Sequence, residues 1–243
     1  MAWFNVNGEL GLSLIILGIG VAVIGLLVID STPLMILGVS TALVGLLANW
    51  GEGVLQETEL RLSSSSWDNL ALLLESVGTA SRAIYLPSSM VEDSKPYALI
   101  PQWGDVKLSG IVPRGFMVKY GPGPGDVGIK VRSMGSRAVE ECLSVGSVSS
   151  DLNSTLSNCI VNHLSLAKGV EATFTGDSVV VLVNRPRLIN PYDGTIVNTV
   201  LGSPMASIVA SLVAESLGRP VVIDGEEARG NAILINLRPL TTQ

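Results

Sequence analysis

Along this chain the hydrophobic pattern changes character once, sharply, near residue 50. Between Leu10 and Trp50 the residues are almost all apolar and Asp30 is the single charge. Within that stretch residues 16–27 (ILGIGVAVIGLL) return twenty positions later as 36–47 (ILGVSTALVGLL), with seven of twelve aligned positions identical. Residues 10–29 make a helix of about 30 Å at 1.5 Å per residue, the thickness of a hydrocarbon core, and residues 34–50 sit at the short end of the spanning range. The connector Asp30-Ser31-Thr32-Pro33 suits a reversal, because Thr32 can cap a second helix and Pro33 fits a first turn that needs no backbone N–H. The pattern predicts two antiparallel membrane-spanning helices.

Beyond the neck at residues 51–66, which ends in the serine run 63–66, the periodicity becomes that of a globular domain. Ser66 is placed to cap a helix through about Val77, with Leu70, Leu73, Leu74 and Val77 on one face. Strand patterns fall at 83–86, 97–100, 115–120, 127–131, 170–174, 179–183, 221–223 and 232–237, and helical patterns at 136–143, 151–167 and 204–217. The last helix is apolar on nearly every side, yet fourteen residues span only about 21 Å, so it reads as a core helix. The predicted fold is an N-terminal transmembrane helical hairpin (1–50), a neck (51–66) and a soluble α+β domain with a largely antiparallel sheet (67–243).

Small residues indicate how the hairpin helices meet. Gly18, Ala22 and Gly25 lie at i, i+4 and i+7, and Gly38, Ala42 and Gly45 repeat that spacing, so each helix has a face free of bulk. Close backbone approach drives helix association in lipid. The spacing leaves open whether these faces meet within one chain or between chains, with Gly11 and Gly20 left for a second contact. Trp3 and Phe4 before the first helix and Trp50 after the second fall on one membrane face, as interfacial anchors do. A cleaved signal peptide needs a basic start, and no Lys, Arg or His precedes Arg61.

Charge narrows the partners. Residues 51–243 hold 15 basic and 19 acidic residues, a net charge of −4 that does not suit a nucleic-acid binder. Arg61 lies within the window that sets topology, so the positive-inside rule places a two-pass protein in the cell membrane with its soluble domain in the cytoplasm. The sequon Asn153-Ser154-Thr155 points the other way if used. Cys142 and Cys159 can pair or stay free.

Chemical motifs are sparse. The run 121–125 (GPGPG) resembles a phosphate loop, but proline removes every second N–H that a phosphate nest needs, so a stiff hairpin connection is expected. The sole histidine, His163, follows Cys159 by four residues on the apolar side of its helix, and two ligands do not make a zinc site; a hydrogen-bonded core histidine is expected. Ser203 opens the buried helix with free N–H groups, where an anion or carboxylate can dock. Arg185, Arg187 and Arg219, each beside a proline, would join Ser203 in a basic ligand site if they converged. Residues 224–227 (DGEE) read as a solvated acidic turn. One histidine cannot serve a catalytic triad as well as a metal site, so no catalytic residue, metal ligand or cofactor is assigned.

Residues 202–223 (GSPMASIVASLVAESLGRPVVI), with the two-helix N-terminus and the segment RGFMVKYGPGPGD, resemble an archaeal family of uncharacterised membrane proteins with two transmembrane helices and a C-terminal soluble domain of unknown function. The resemblance implies the same architecture and carries no activity. The sequence therefore leads to a membrane-anchored structural or interaction protein, with the lipid bilayer and other copies of itself as partners. A membrane-tethered domain that binds or senses an unidentified small ligand is the alternative, and an enzyme ranks behind both.

Overall fold

The computed structural model describes residues 6–79, 81–103, 108, 110–188 and 190–241, and the side chains of 6–10 and 48–65 lie outside that description. The chain forms two compact units, Met1–Ser65 and Ser66–Gln243.

The first unit is a helical hairpin. Helix α1 covers Val6–Leu27 and α2 starts at Thr32 and continues to Val77. Helix α1 stops two residues before the expected boundary because Asp30 turns into the left-handed region (φ 50), which Asp tolerates better than most side chains, and Ser31 N–H bonds back to the Gly25 carbonyl at 2.8 Å. Ser31, rather than Thr32, stands before the first helical residue, and its carbonyl accepts from Met35 N–H at 3.1 Å. The apolar stretches that result, Gly11–Leu27 and Thr32–Leu47, are shorter than the 20 and 17 residues expected. Among the described residues the only stretch long and apolar enough to cross a membrane by length and composition is Ile196–Leu217, and 78% of it is buried in the second unit.

The expected break at residues 63–66 does not occur, and Ser66 caps nothing: α2 is continuous to Val77. Serine costs a helix at most about 0.7 kcal/mol relative to alanine, and no proline interrupts the run. The final turns of α2 then bury Leu74 completely, while Trp67, Leu70 and Val77 pack against the core of the second unit.

That second unit is an antiparallel sheet of eight strands with helices on one face. The strands are β1 (Ile84–Leu86), β2 (Tyr97–Pro101), β3 (Met117–Lys119), β4 (Val127–Val131), β5 (Gly169–Thr175), β6 (Ser178–Asn184), β7 (Val221–Arg229) and β8 (Ala232–Pro239), in the order β3-β4-β2-β1-β7-β8-β6-β5. Turn chemistry sets the hairpins: Gly176 takes φ 60 between β5 and β6, a conformation closed to most side chains. The GPGPG run closes β3 onto β4 as expected, with Gly123 N–H donating to the Asp126 carboxylate at 2.7 Å.

Three of the four further helices start at a side-chain cap. Helix α3 (Met134–Ser144) starts at a Ser133/Ser136 capping box. Helix α4 (Leu152–Leu156), capped by Asp151, widens into a π-helical segment at Ser157–His163. Helices α5 (Ile196–Leu201) and α6 (Pro204–Leu217) complete the set, and α6 begins with Ser203 as cap and Pro204 in its first turn. Eleven of the fourteen α6 residues are buried, including Ile208, Val209, Leu212 and Val213, each aliphatic side chain contributing about 1.5–3 kcal/mol. Helix α3 crosses α6 at Gly135, where a methyl group would collide with the Ser207 carbonyl and the Ser211 hydroxyl. The far face of β1–β4 carries a second, smaller core of Ile84, Leu86, Leu99, Val112 and Val118.

His163 is exposed, not in the core. Spacing of i, i+4 keeps two residues on one face only at 3.6 residues per turn, and the π-helical segment is wider, so it swings His163 away from the face that buries Cys159 and Ile160.

Candidate functional site

Of the residues expected to pack the helices, Gly18, Ala22, Gly38 and Ala42 meet one another within one chain, while Gly25 and Gly45 face other residues. A methyl on Gly18 would fall 2.7 Å from the Gly38 carbonyl oxygen and against the backbone of Ala42. A methyl on Gly38 would fall 2.6 Å from the Gly18 carbonyl and against the backbone of Ala22. Further out, Gly25 faces Met35 N at 2.8 Å and Gly45 faces Ile15 N at 2.8 Å, in the same measure. Shifting by twenty residues turns the pair 18/42 into 38/22 and the pair 25/35 into 45/15. The duplication in sequence thus becomes a pseudo-two-fold axis in the hairpin, each half offering the same small-residue seam to the other.

Two glycines left over from the expected seam part company. Gly11 is used, since a methyl on Gly45 would fall 2.7 Å from its carbonyl oxygen, while Gly20 has nothing within 4 Å. Gly11, Gly18 and Gly25 are buried at intervals of seven, as are Gly38 and Gly45, which is the repeat that keeps one seam facing its partner along two coiled helices.

The outer surface repeats the symmetry. Ile16 and Ile36, Leu17 and Leu37, Ile19 and Val39, Leu26 and Leu46, and Leu27 and Leu47 are twenty residues apart and all lie exposed, from 46% at Val39 to 75% at Leu27. The α2 hydroxyls on this surface are satisfied inside the helix: Ser40 Oγ donates to the Ile36 carbonyl and Thr41 Oγ1 to the Leu37 carbonyl, each at 2.8 Å. Of the residues expected to anchor a membrane interface, Trp3 and Phe4 lie outside the described residues, as does the Trp50 side chain.

The expected ligand site is not assembled. The N-terminus of α6 does hold a carboxylate, but an internal one: Ser203 N–H donates to Glu226 Oε2 at 3.1 Å, the Ser203 hydroxyl donates to Glu226 Oε1, and Ala206 N–H closes on Ser203 Oγ at 3.2 Å. Arg219 stands just past the other end of α6, about 21 Å of helix away. Arg187 donates to the Ser165 carbonyl at 3.3 Å. Arg185, at φ 50 with its N–H on the Asn231 carbonyl at 2.7 Å, lines an open hollow with Lys168, Asn184, Arg229 and Asn231.

Residues 224–227 are not a turn. They continue β7, with a bulge between Ile223 and Gly225, and their carboxylates are engaged: Glu226 at α6, and Asp224 with Arg238, whose Nε and Nη2 approach it at 3.0 and 3.1 Å. Asp-Gly-Glu-Glu carries turn composition, and only the partner strand β8 reveals the longer ladder.

Two polar clusters escaped sequence reasoning. On β4, Lys130 is buried (4% exposed), donates to the Pro113 carbonyl at 2.8 Å and sits 4.4 Å over the Tyr97 ring, while the Tyr97 hydroxyl donates to Asp93 Oδ2 at 2.8 Å. Burial pushes the Lys130 ammonium and the Tyr97 hydroxyl away from their charged forms. Burial also pushes Asp93 up, but the Tyr97 hydrogen bond and the Lys130 and Arg114 charges outweigh it and hold its carboxyl below the ordinary value. On α4, Asn153 binds the free edge of β5 with both ends of its amide, accepting from Ala172 N–H at 2.8 Å and donating to Ala172 O at 3.1 Å. Thr155, the last residue of the sequon, is fully buried and donates to the Ser149 carbonyl at 3.0 Å. Among the described residues no cluster of three or more metal-ligating side chains occurs. No protein-family model, curated protein or solved structure matches this chain.

Proposed function

We propose that the chain is a two-pass membrane-anchored structural or interaction protein, with the hairpin of α1 and α2 buried in the bilayer of the cell membrane. The observation that supports this reading is the outer surface of the hairpin, where paired aliphatic residues on both helices are exposed and the hydroxyls of Ser40 and Thr41 are satisfied by their own helix. An apolar surface of that extent is costly in water, and lipid is the environment that favours it, while hydrocarbon in turn demands that polar groups find internal partners. Stretches of 16 and 17 described apolar residues suit a thin or locally thinned bilayer, or longer spans that include neighbouring residues. Membership of the archaeal two-helix family is part of the same proposal.

Self-assembly remains in the proposal with a changed surface. The small-residue seam is filled by the hairpin itself, so contacts between copies in the membrane fall to the outer face around Gly20 or to the soluble domain. A cytoplasmic soluble domain rests on Arg61, and the structural use of Asn153 and Thr155 takes weight from the sequon that argued for the outside.

Flotation of the full chain with phospholipid vesicles, before and after an alkaline carbonate wash, tests the anchor. Retention with lipid is expected, and a folded chain in the aqueous fraction would overturn the reading. Mass measurement in mild detergent tests assembly separately: a defined multi-subunit particle is expected, and a monomer at all concentrations removes that half. The second reading, a tethered ligand-binding domain, draws on the open hollow, where Lys168 and Arg185 have no ion-pair partner among the described residues. Thermal stabilisation of the chain by a small anion, lost in Arg185→Ala, would support it.

A further inference from the structure

We infer that Cys142 and Cys159 are a disulfide-forming pair, a covalent latch between the end of α3 and the π-helical segment after α4 that closes by exchange with a small external disulfide. They are the only cysteines in 243 residues. They come from different elements, yet both are fully buried in the same hydrophobic core. A third residue locks the geometry: Cys159 Sγ donates to the Ser147 carbonyl at 3.9 Å, while Ser147 N–H donates to the Cys142 carbonyl at 2.9 Å. Small apolar packing alone accounts for one buried cysteine. It does not account for the two in the chain closing on one residue, Ser147, from separate elements, which gathers them in one place as a disulfide requires.

The widened helix is what makes the meeting possible, because Cys159 lies within the π-helical segment, where the face presented to α3 departs from α-helical spacing. Access comes from the other side. Cys142 is in the last turn of α3, and the next residues, Leu143 and Val145, are exposed, so fraying of a single turn brings its sulfur to solvent. The two thiols are unequal. The neighbouring Cys159 thiol holds Cys142 below its ordinary value against the effect of burial, whereas the Cys142 thiol and burial together raise Cys159. Cys142 is therefore the attacking sulfur.

The exchange balances in two steps. The Cys142 thiolate attacks one sulfur of the external disulfide, whose S–S bond breaks and releases one thiolate, leaving a mixed disulfide on Cys142. Cys159 then gives its proton to solvent base and attacks the Cys142 sulfur, expelling the second thiolate. The protein loses two protons and two electrons, and the external disulfide is reduced to two thiols.

The test uses the full chain in detergent, incubated with oxidised glutathione at mildly alkaline pH, quenched in acid, denatured, alkylated and weighed intact. The expected main species carries neither alkyl group nor glutathione and is lighter than the reduced chain by two hydrogens. Cys159→Ser should accumulate one glutathione on Cys142 instead, Cys142→Ser should take up little, and the oxidised wild type should melt at a higher temperature than the reduced one. Full alkylation of both cysteines after incubation would overturn the proposal, as would stable glutathione adducts on the wild type or a lower melting temperature on oxidation. The wild-type mass alone decides the matter if a serine variant fails to fold.

Discussion

Gly18 and Gly38 face each other across the hairpin so closely that a methyl on either would fall within 2.7 Å of the other's carbonyl oxygen. Twenty residues separate them in sequence, and the same twenty separate the two copies of the apolar repeat. The repeat is thus the device that brings one small-residue face against its own duplicate. An association that a homodimer would build from two chains is contained here within one.

That relationship predicts a position-specific response. Gly18→Val and Gly38→Val force a branched side chain into backbone, where no neighbouring side chain can yield, and each should destabilise the hairpin by about 1–3 kcal/mol or more. Gly20→Val, with nothing within 4 Å, should leave it unchanged. Thermal unfolding of the three variants in detergent reads the difference, and equal losses at all three positions would contradict an in-chain seam.

At the second helix terminus with a clear partner, Glu226 takes the place of an external anion. Glu226→Ala removes the carboxylate that binds Ser203 N–H and hydroxyl, and should cost about 1 kcal/mol, the usual worth of a helix cap interaction. Acetate or sulfate should return part of the lost stability to this variant and add nothing to the wild type, because only the variant has free N–H groups at the start of α6. Melting temperatures with and without the anion check both halves.

How much of this was legible in the sequence depends on whether a residue's role is local. Ser203-Pro204 at the start of α6 and Gly218 at its end are local signals, and the helix lies where they place it. Strands β4, β5 and β6 alternate strongly enough to be located within a residue or so. The small-residue triplets announced packing, but not the partner, since in-chain and between-chain seams have one spacing. What stayed hidden was set by distant neighbours. Glu226 reads as part of a turn until β8 supplies a ladder partner, and His163 reads as buried until the helix before it widens. Asn153 reads as a sequon until Ala172 arrives beside it. Helix α5, six residues long, is too short for a period to show.

Asp93 gives the second unit a pH dependence with a definite sign. Its folded carboxyl lies below the ordinary value because the Tyr97 hydroxyl and nearby cations prevail over burial. A depressed carboxyl contributes stability that is fully present above the unfolded value of about 3.9 and is lost as the pH falls through the lower folded value. Denaturant midpoints measured from neutral pH down to strong acid should fall more steeply below about pH 4 for the wild type than for Asp93→Asn, which carries no proton to bind. Parallel curves would show that the Tyr97–Asp93 contact does not hold in solution.

The contact between Asn153 and Ala172 carries the last prediction. Strand β5 is the outer strand of the sheet, seven residues long, with Phe174 exposed near its end. An open edge of that kind is a template for pairing with another chain, and the Asn153 amide blocks it at the middle by occupying one N–H and one C=O. Asn153→Ala should lose about 1–3 kcal/mol from two hydrogen bonds and, more tellingly, leave that edge free to pair. Asn153→Asp keeps an acceptor for Ala172 N–H but sets a carboxylate against the Ala172 carbonyl, so it should fall between the two in stability while its charge opposes association. Light scattering against protein concentration at fixed detergent should therefore rise for the alanine variant and stay at the wild-type level for the aspartate variant. Equal scattering from all three would mean that the edge is protected by something other than this amide.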